Sequence, residues 1–151
     1  MHVPGKYTLV AGVGEGEKKL TAFDAALLDA GIGNYNLIKV SSILPPGAKR
    51  MSELDVPPGA LLPAAFGTIV SDIKGERLAA AVGVGVSKDS FGMIMEYASV
   101  CSKEEAVAKV KQMVEEAFAN RGMEIQELWT MGAEHVVDRV GAVIAAVALW
   151  D

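Results

Sequence analysis

Only two stretches of this chain carry a helical repeat, and that limits the fold more than any other feature. The first is Thr21–Ala30, where Phe23, Ala26, Leu27 and Ala30 share one face. Thr21 reads as its cap, with Asp24 three residues on in the manner of a capping box, and Gly31 as its stop. The second opens at Ser102-Lys-Glu-Glu105, a capping box in full. It lines up Val107, Val110, Met113, Val114, Ala117 and Phe118, and closes at Asn120-Arg121-Gly122. The remaining apolar residues come in short runs punctuated by glycine and proline: Tyr7–Ala11, Phe66–Asp72, Leu78–Ser87, Phe91–Ala98, Ile125–Met131 and Gly141–Leu149. Gly12–Gly16 and Lys49–Asp55 read as loops. Strands outnumber helices and their connections look like hairpins, which predicts an α+β fold with helices packed outside an antiparallel or mixed sheet.

At 151 residues, half of them hydrophobic, the chain is expected to form one domain with a substantial core. Its net charge of −5, without a Lys/Arg block, argues against nucleic-acid binding. A single cysteine, Cys101, excludes an intrachain disulfide and fits a reducing cytoplasm. Met1–Gly5 does not read as a secretory leader. No apolar run reaches the ~20 residues of a membrane helix. The expectation is a cytoplasmic protein that buries further surface by self-association.

One more strand-like run is Asn34-Tyr-Asn-Leu-Ile-Lys-Val-Ser-Ser-Ile-Leu-Pro-Pro-Gly47. Two serines sit near its end, and Pro45-Pro46 removes the backbone donors that would extend a ladder. Taken alone, Ser41 and Ser42 read as two surface hydroxyls, and no Gly-x-Ser-x-Gly elbow surrounds them. Asp24 taken alone serves a helix end, and Glu96 alternates onto the strand face of Ile94. His135 and Asp138 read as a surface or capping pair with no metal spacing. His2 reads as part of a disordered terminus, and the methionines as scattered core filler.

The same residues carry a resemblance. Asn36–Ala48 looks like the self-cleavage segment of pyruvoyl-dependent arginine decarboxylases, and the likeness continues through Ala22–Asn34, Pro58–Pro63, Gly92–Tyr97 and Ala145–Trp150. It implies a four-layer αββα sandwich assembled as a trimer. It also implies cleavage between Ser41 and Ser42, giving fragments 1–41 and 42–151, with Ser42 converted to a covalent pyruvoyl group. That group would replace pyridoxal phosphate, for which the chain shows no phosphate cradle, and no metal is called for. Decarboxylation of L-arginine to agmatine and carbon dioxide would pass through a Schiff base to the pyruvoyl carbonyl. By the same likeness Glu96 is the proton donor, Asn36 polarises the Ser41 carbonyl or holds the pyruvoyl oxygen, Asp24 binds the guanidinium, and Ser41 stays in the pocket. Two alternatives stand beside this reading: the same chemistry on another amino acid, and an unprocessed homologue serving as a regulatory or structural subunit.

Overall fold

β9 (Gly141–Trp150) is buried along its whole length, and the rest of the chain is laid out around it. The computed structural model describes residues 1–151. β9 lies at the centre of a five-stranded sheet, antiparallel to β5 (Leu61–Ser71) on one side and to β1 (Lys6–Glu15) on the other. Two short edge strands complete it, each parallel to its neighbour: β2 (Asn36–Lys39) beside β5, and β4 (Lys49–Arg50) beside β1. A second sheet is antiparallel throughout, in the order β3 (Ile43–Leu44), β7 (Gly92–Val100), β6 (Arg77–Val86), β8 (Glu127–Val136).

Alternation along β9 divides the core in two. Val143, Ala145, Val147 and Leu149 pack against Leu78, Ala80, Val82, Val84 and Ile94 of the second sheet. Ala142, Ile144, Ala146, Ala148 and Trp150 instead meet Ala22 and Ala26 of helix α1 (Lys19–Asp29) and Ala30, which caps its C-terminus. Helix α2 (Lys103–Asn120) covers the far face of the second sheet through Ala106, Val110, Val114, Ala117 and Phe118. Each buried Val or Ile stabilises this stack by about 1.5–3 kcal/mol. The layers are helix, sheet, sheet, helix, as the resemblance implied. No helix is long and apolar enough to cross a membrane.

Several boundaries differ from expectation, each for a physical reason. Gly12–Glu15 belongs to β1 and is not a loop. Its glycines carry no alternation to read, yet they are what lets α1 lie down on the sheet: a Cβ at Gly12 would collide with the Ala26 carbonyl oxygen. α1 starts at Lys19, so Thr21 is inside its first turn; the Thr21 hydroxyl accepts from the Lys18 N–H at 3.1 Å. Asp24 is therefore no capping partner. The expected loop at Lys49–Asp55 begins with β4. His2 has a partner at the other end of the chain, its Nε2 lying 3.1 Å from the Asp151 carboxylate.

His135 does not pair with Asp138. It lies on β8, and its Nε2 meets Oε2 of Glu15 at 2.6 Å, joining the ends of the two sheets. The same carboxylate accepts from the Arg139 N–H at 2.8 Å and the Asp138 N–H at 3.3 Å. Burial pushes the Glu15 carboxyl up, but those backbone donors and the His135 ring outweigh it and hold it below its ordinary value of 4.5. A carboxyl lowered in the folded state stabilises above its unfolded value, and that contribution is lost as pH falls through the folded one. Glu15→Gln is thus expected to lower Tm at neutral pH by about 2–4 °C, the equivalent of about 1 kcal/mol. The gap from wild type should close in acid. A gap that persists unchanged at low pH would show that the carboxylate's charge is not what ties the sheets.

Candidate active site

β2 belongs to the first sheet, with Lys39 opposite Ala64. Four residues later the chain belongs to the second, with Ile43 opposite Met93 and Leu44 opposite Gly92. The crossing between the layers is Val40-Ser41-Ser42. It is pinned on both sides: the Val40 N–H donates to the Ala64 carbonyl at 3.1 Å, and the Ile94 N–H donates to the Ser42 carbonyl at 2.7 Å. Between those pins the Ser41 carbonyl and the Ser42 N–H make no hydrogen bond within the chain. A peptide inside a sheet has both groups occupied, and one in an edge strand such as β2 or β3 still has one. This one is left open because its two flanks are held by different sheets. No left-handed backbone contributes here, since only glycines have positive φ. The crossing itself is what exposes the bond.

Extending the β3–β7 register by one pair sets Ser42 opposite Ile94, which makes Glu96 its diagonal neighbour on β7. Such diagonal neighbours lie about 7–8 Å apart, within reach of a long side chain. Glu96 points between the sheets, on the face of Ile94 and Ala98. It is half-buried, facing Gly67 of β5 across the layer. Burial pushes its carboxyl above the ordinary range, and the charge of Lys39 pulls it partly back. Lys39 rests its ammonium 5.0 Å from the Phe66 ring centroid. Sequence reasoning passed over Lys39; its position two residues before the serine pair was the available signal.

Ser41 and Ser42 line different cavities. Ser42 opens onto a space of about 260 Å³ walled by Met93, Met95 and Met113, with Glu116 and Arg121 at its polar side. Three methionines that looked scattered in sequence thus meet beside one serine, because β7 alternation and the α2 repeat both aim there. Ser41, which is exposed, lines a space of about 450 Å³ with His2, Pro4, Pro45 and Leu149.

Residues 6–151 match the family described as pyruvoyl-dependent arginine decarboxylase. The chain belongs to this family. Among its relatives, the pyruvoyl-dependent arginine decarboxylase of Methanocaldococcus jannaschii is 47% identical over 150 residues, covering 98% of this chain and 91% of that protein. That of Methanococcus aeolicus is 47% identical over 149 residues, covering 97% and 90%. That of Pyrococcus abyssi is 44% identical over 151 residues, covering 97% and 96%.

Against the roles that membership suggests, the structure brings together only part of the expected set. Ser41 and Ser42 stand beside β7, the strand that carries Glu96, but Glu96 lines neither serine cavity: the Ser42 cavity is on the Met93–Met95 face of that strand and Glu96 is on the other. Asn36 starts β2, where its side-chain amide donates to the Gly59 carbonyl at 2.9 Å. The rise of β2 alone puts about 10 Å between Asn36 and Lys39. Asp24 is on the exposed side of α1, with no hydrogen bond or ion pair, and lines neither serine cavity. Close to it, Leu20 is 76% exposed and shares an apolar hollow with Phe23 and Val70.

Proposed function

We propose that this chain decarboxylates L-arginine to agmatine and carbon dioxide, after cutting itself between Ser41 and Ser42. The observation that carries this reading is the coincidence of an open Ser41–Ser42 peptide with a half-buried carboxyl, Glu96, on the adjacent strand. The Ser42 Oγ attacks the Ser41 carbonyl carbon, the C–N bond breaks, and an ester joins the two residues. Loss of the Ser42 Cα proton expels the Ser41 carboxylate and leaves dehydroalanine. Water then enters as ammonia leaves, giving a pyruvoyl group at the head of the 42–151 fragment. The residues present fit that group: the hydroxyl belongs to the residue that supplies the target peptide's nitrogen, so its attack closes a five-membered ring, and no ladder hydrogen bond has to break first.

The pyruvoyl group supplies an electron sink for the pair left on the substrate Cα when carbon dioxide departs. Glu96, whose carboxyl burial pushes above the ordinary range against the pull of Lys39, is the donor of the proton to that carbon. Asp24 offers two carboxylate oxygens to a guanidinium fork. Its position outside both serine cavities, beside the exposed apolar hollow of Leu20, Phe23 and Val70, supports a pocket completed by a second copy in a trimer. Asn36 would act in the same way, across that boundary. The free thiol of Cys101 fits a cytoplasmic setting.

The test is carbon dioxide release from a panel of amino acids. Arginine should be strongly preferred over lysine, ornithine and histidine. Asp24→Asn should lower kcat/KM for arginine about 10- to 100-fold while leaving cleavage intact, as the loss of one charge-assisted pair predicts. Equal rates across the panel would defeat the arginine assignment. An Asp24→Asn enzyme with unchanged preference would remove that residue from recognition.

A further inference from the structure

Glu96 has an unusual counterpart on the other sheet. The inward face of β5 runs Ala65, Gly67, Ile69, and Gly67 is buried opposite Ala145 of β9. A Cβ built at Gly67 would lie 3.3 Å from the Glu96 Cβ, 3.5 Å from its Cγ and 3.4 Å from the Tyr97 nitrogen. The nearest atoms to that position are thus the first two carbons of the Glu96 stem and the backbone that follows it. Packed sheets stand about 10 Å apart, and the space is normally filled by side chains from both sides. Here one side contributes nothing, and the carboxylate arm fills the gap. Gly67 has no positive φ, so its backbone does not call for glycine; the close approach of β7 does.

We infer that Gly67 is a positioning residue for Glu96, its missing side chain setting where the carboxyl stands relative to Ser42. This rests on the reading of Glu96 as proton donor. An added methyl at 3.3 Å is tighter than ordinary contact, so the stem must turn aside by a few tenths of an ångström. Its carboxyl, two bonds further out, moves by more. Misplacement of a reacting group by about 1 Å can cost on the order of 100-fold in rate.

The experiment compares Gly67→Ala, Glu96→Gln and the double variant in the full self-processed protein. It reads the cleaved fraction by intact mass, then Tm, then kcat, KM and the pH profile of kcat for arginine. Gly67→Ala should cut normally, keep KM within about 2-fold, and lose about 10- to 100-fold in kcat. Its high-pH limb should move upward, because the methyl excludes water from the carboxyl. The double variant should be no slower than Glu96→Gln alone, since Gly67 acts only through that side chain. Overturning outcomes are a Gly67→Ala enzyme with wild-type kcat, a double variant in which the two losses multiply, or a Gly67→Ala chain that fails to fold or cut. The last would mean that the contact serves the core and not the donor. A Glu96→Gln enzyme at wild-type rate would instead remove the donor reading beneath it, whatever Gly67 does.

Discussion

Ser42→Ala should give a single uncut chain of 151 residues with no decarboxylase activity. The wild-type protein, denatured and weighed, should give two masses divided between Ser41 and Ser42, the larger shifting on borohydride reduction of its carbonyl. In the variant there is no hydroxyl to reach the Ser41 carbonyl, so no ester forms and nothing is eliminated. Without the resulting group no side chain of this protein can hold the electron pair at Cα. The rate should fall by at least about 10⁶-fold, the low end of what enzymes contribute over the uncatalysed reaction. The fold should survive, because the Ser42 side chain makes no hydrogen bond in the chain and position 42 is only partly buried. Such substitutions usually stay within about 0.5 kcal/mol. The carbonyl of residue 42 still accepts from the Ile94 N–H, so the crossing remains pinned. Two fragments from Ser42→Ala would sink the assignment of the nucleophile. A single mass from wild type would favour the unprocessed, non-catalytic alternative.

What the sequence disclosed and what it concealed follow one physical division. Local patterns were legible. The Ser102 cap is formed, with its hydroxyl accepting from the Glu105 N–H at 3.1 Å, and β6, β7 and β9 lie near their expected places, whereas β5 starts at Leu61, five residues before the expected Phe66. What stayed hidden depends on partners distant in the chain. Val40–Ile43 reads as one strand running to its end, and nothing local says that β2 pairs with β5 while β3 pairs with β7. Yet that change of partner is what leaves the Ser41–Ser42 peptide open. Glu15 was lost among glycines, so its tie to His135, 120 residues away, could not be seen. The α1 cap was misread by three residues because Thr21 reaches backward to Lys18 instead of forward to Asp24. Glu96 was legible on both counts, since its alternation with Ile94 fixed its face and the Gly92–Tyr97 motif carried the resemblance.

Glu96→Gln is the complementary case: the protein should still cut itself and bind arginine, but turnover should fall about 100-fold or more, the usual contribution of a positioned acid. Gln keeps the stem packed against Gly67 and removes only the proton. An acid must be protonated to donate, so kcat should decline as pH rises through the Glu96 value in the substrate complex. Burial raises that value, which keeps the acid form available toward neutral pH. Lys39 opposes it, because a nearby positive charge favours the carboxylate. Removing that charge with Lys39→Met should therefore move the high-pH limb of kcat further upward, measured on the cleaved fraction alone because Lys39 is so close to the cut. A limb that moves downward, or not at all, would mean that another group limits turnover in base. An unchanged rate in Glu96→Gln would say the same of the proton itself, and the carboxyl would be left as a filler of the space that Gly67 vacates.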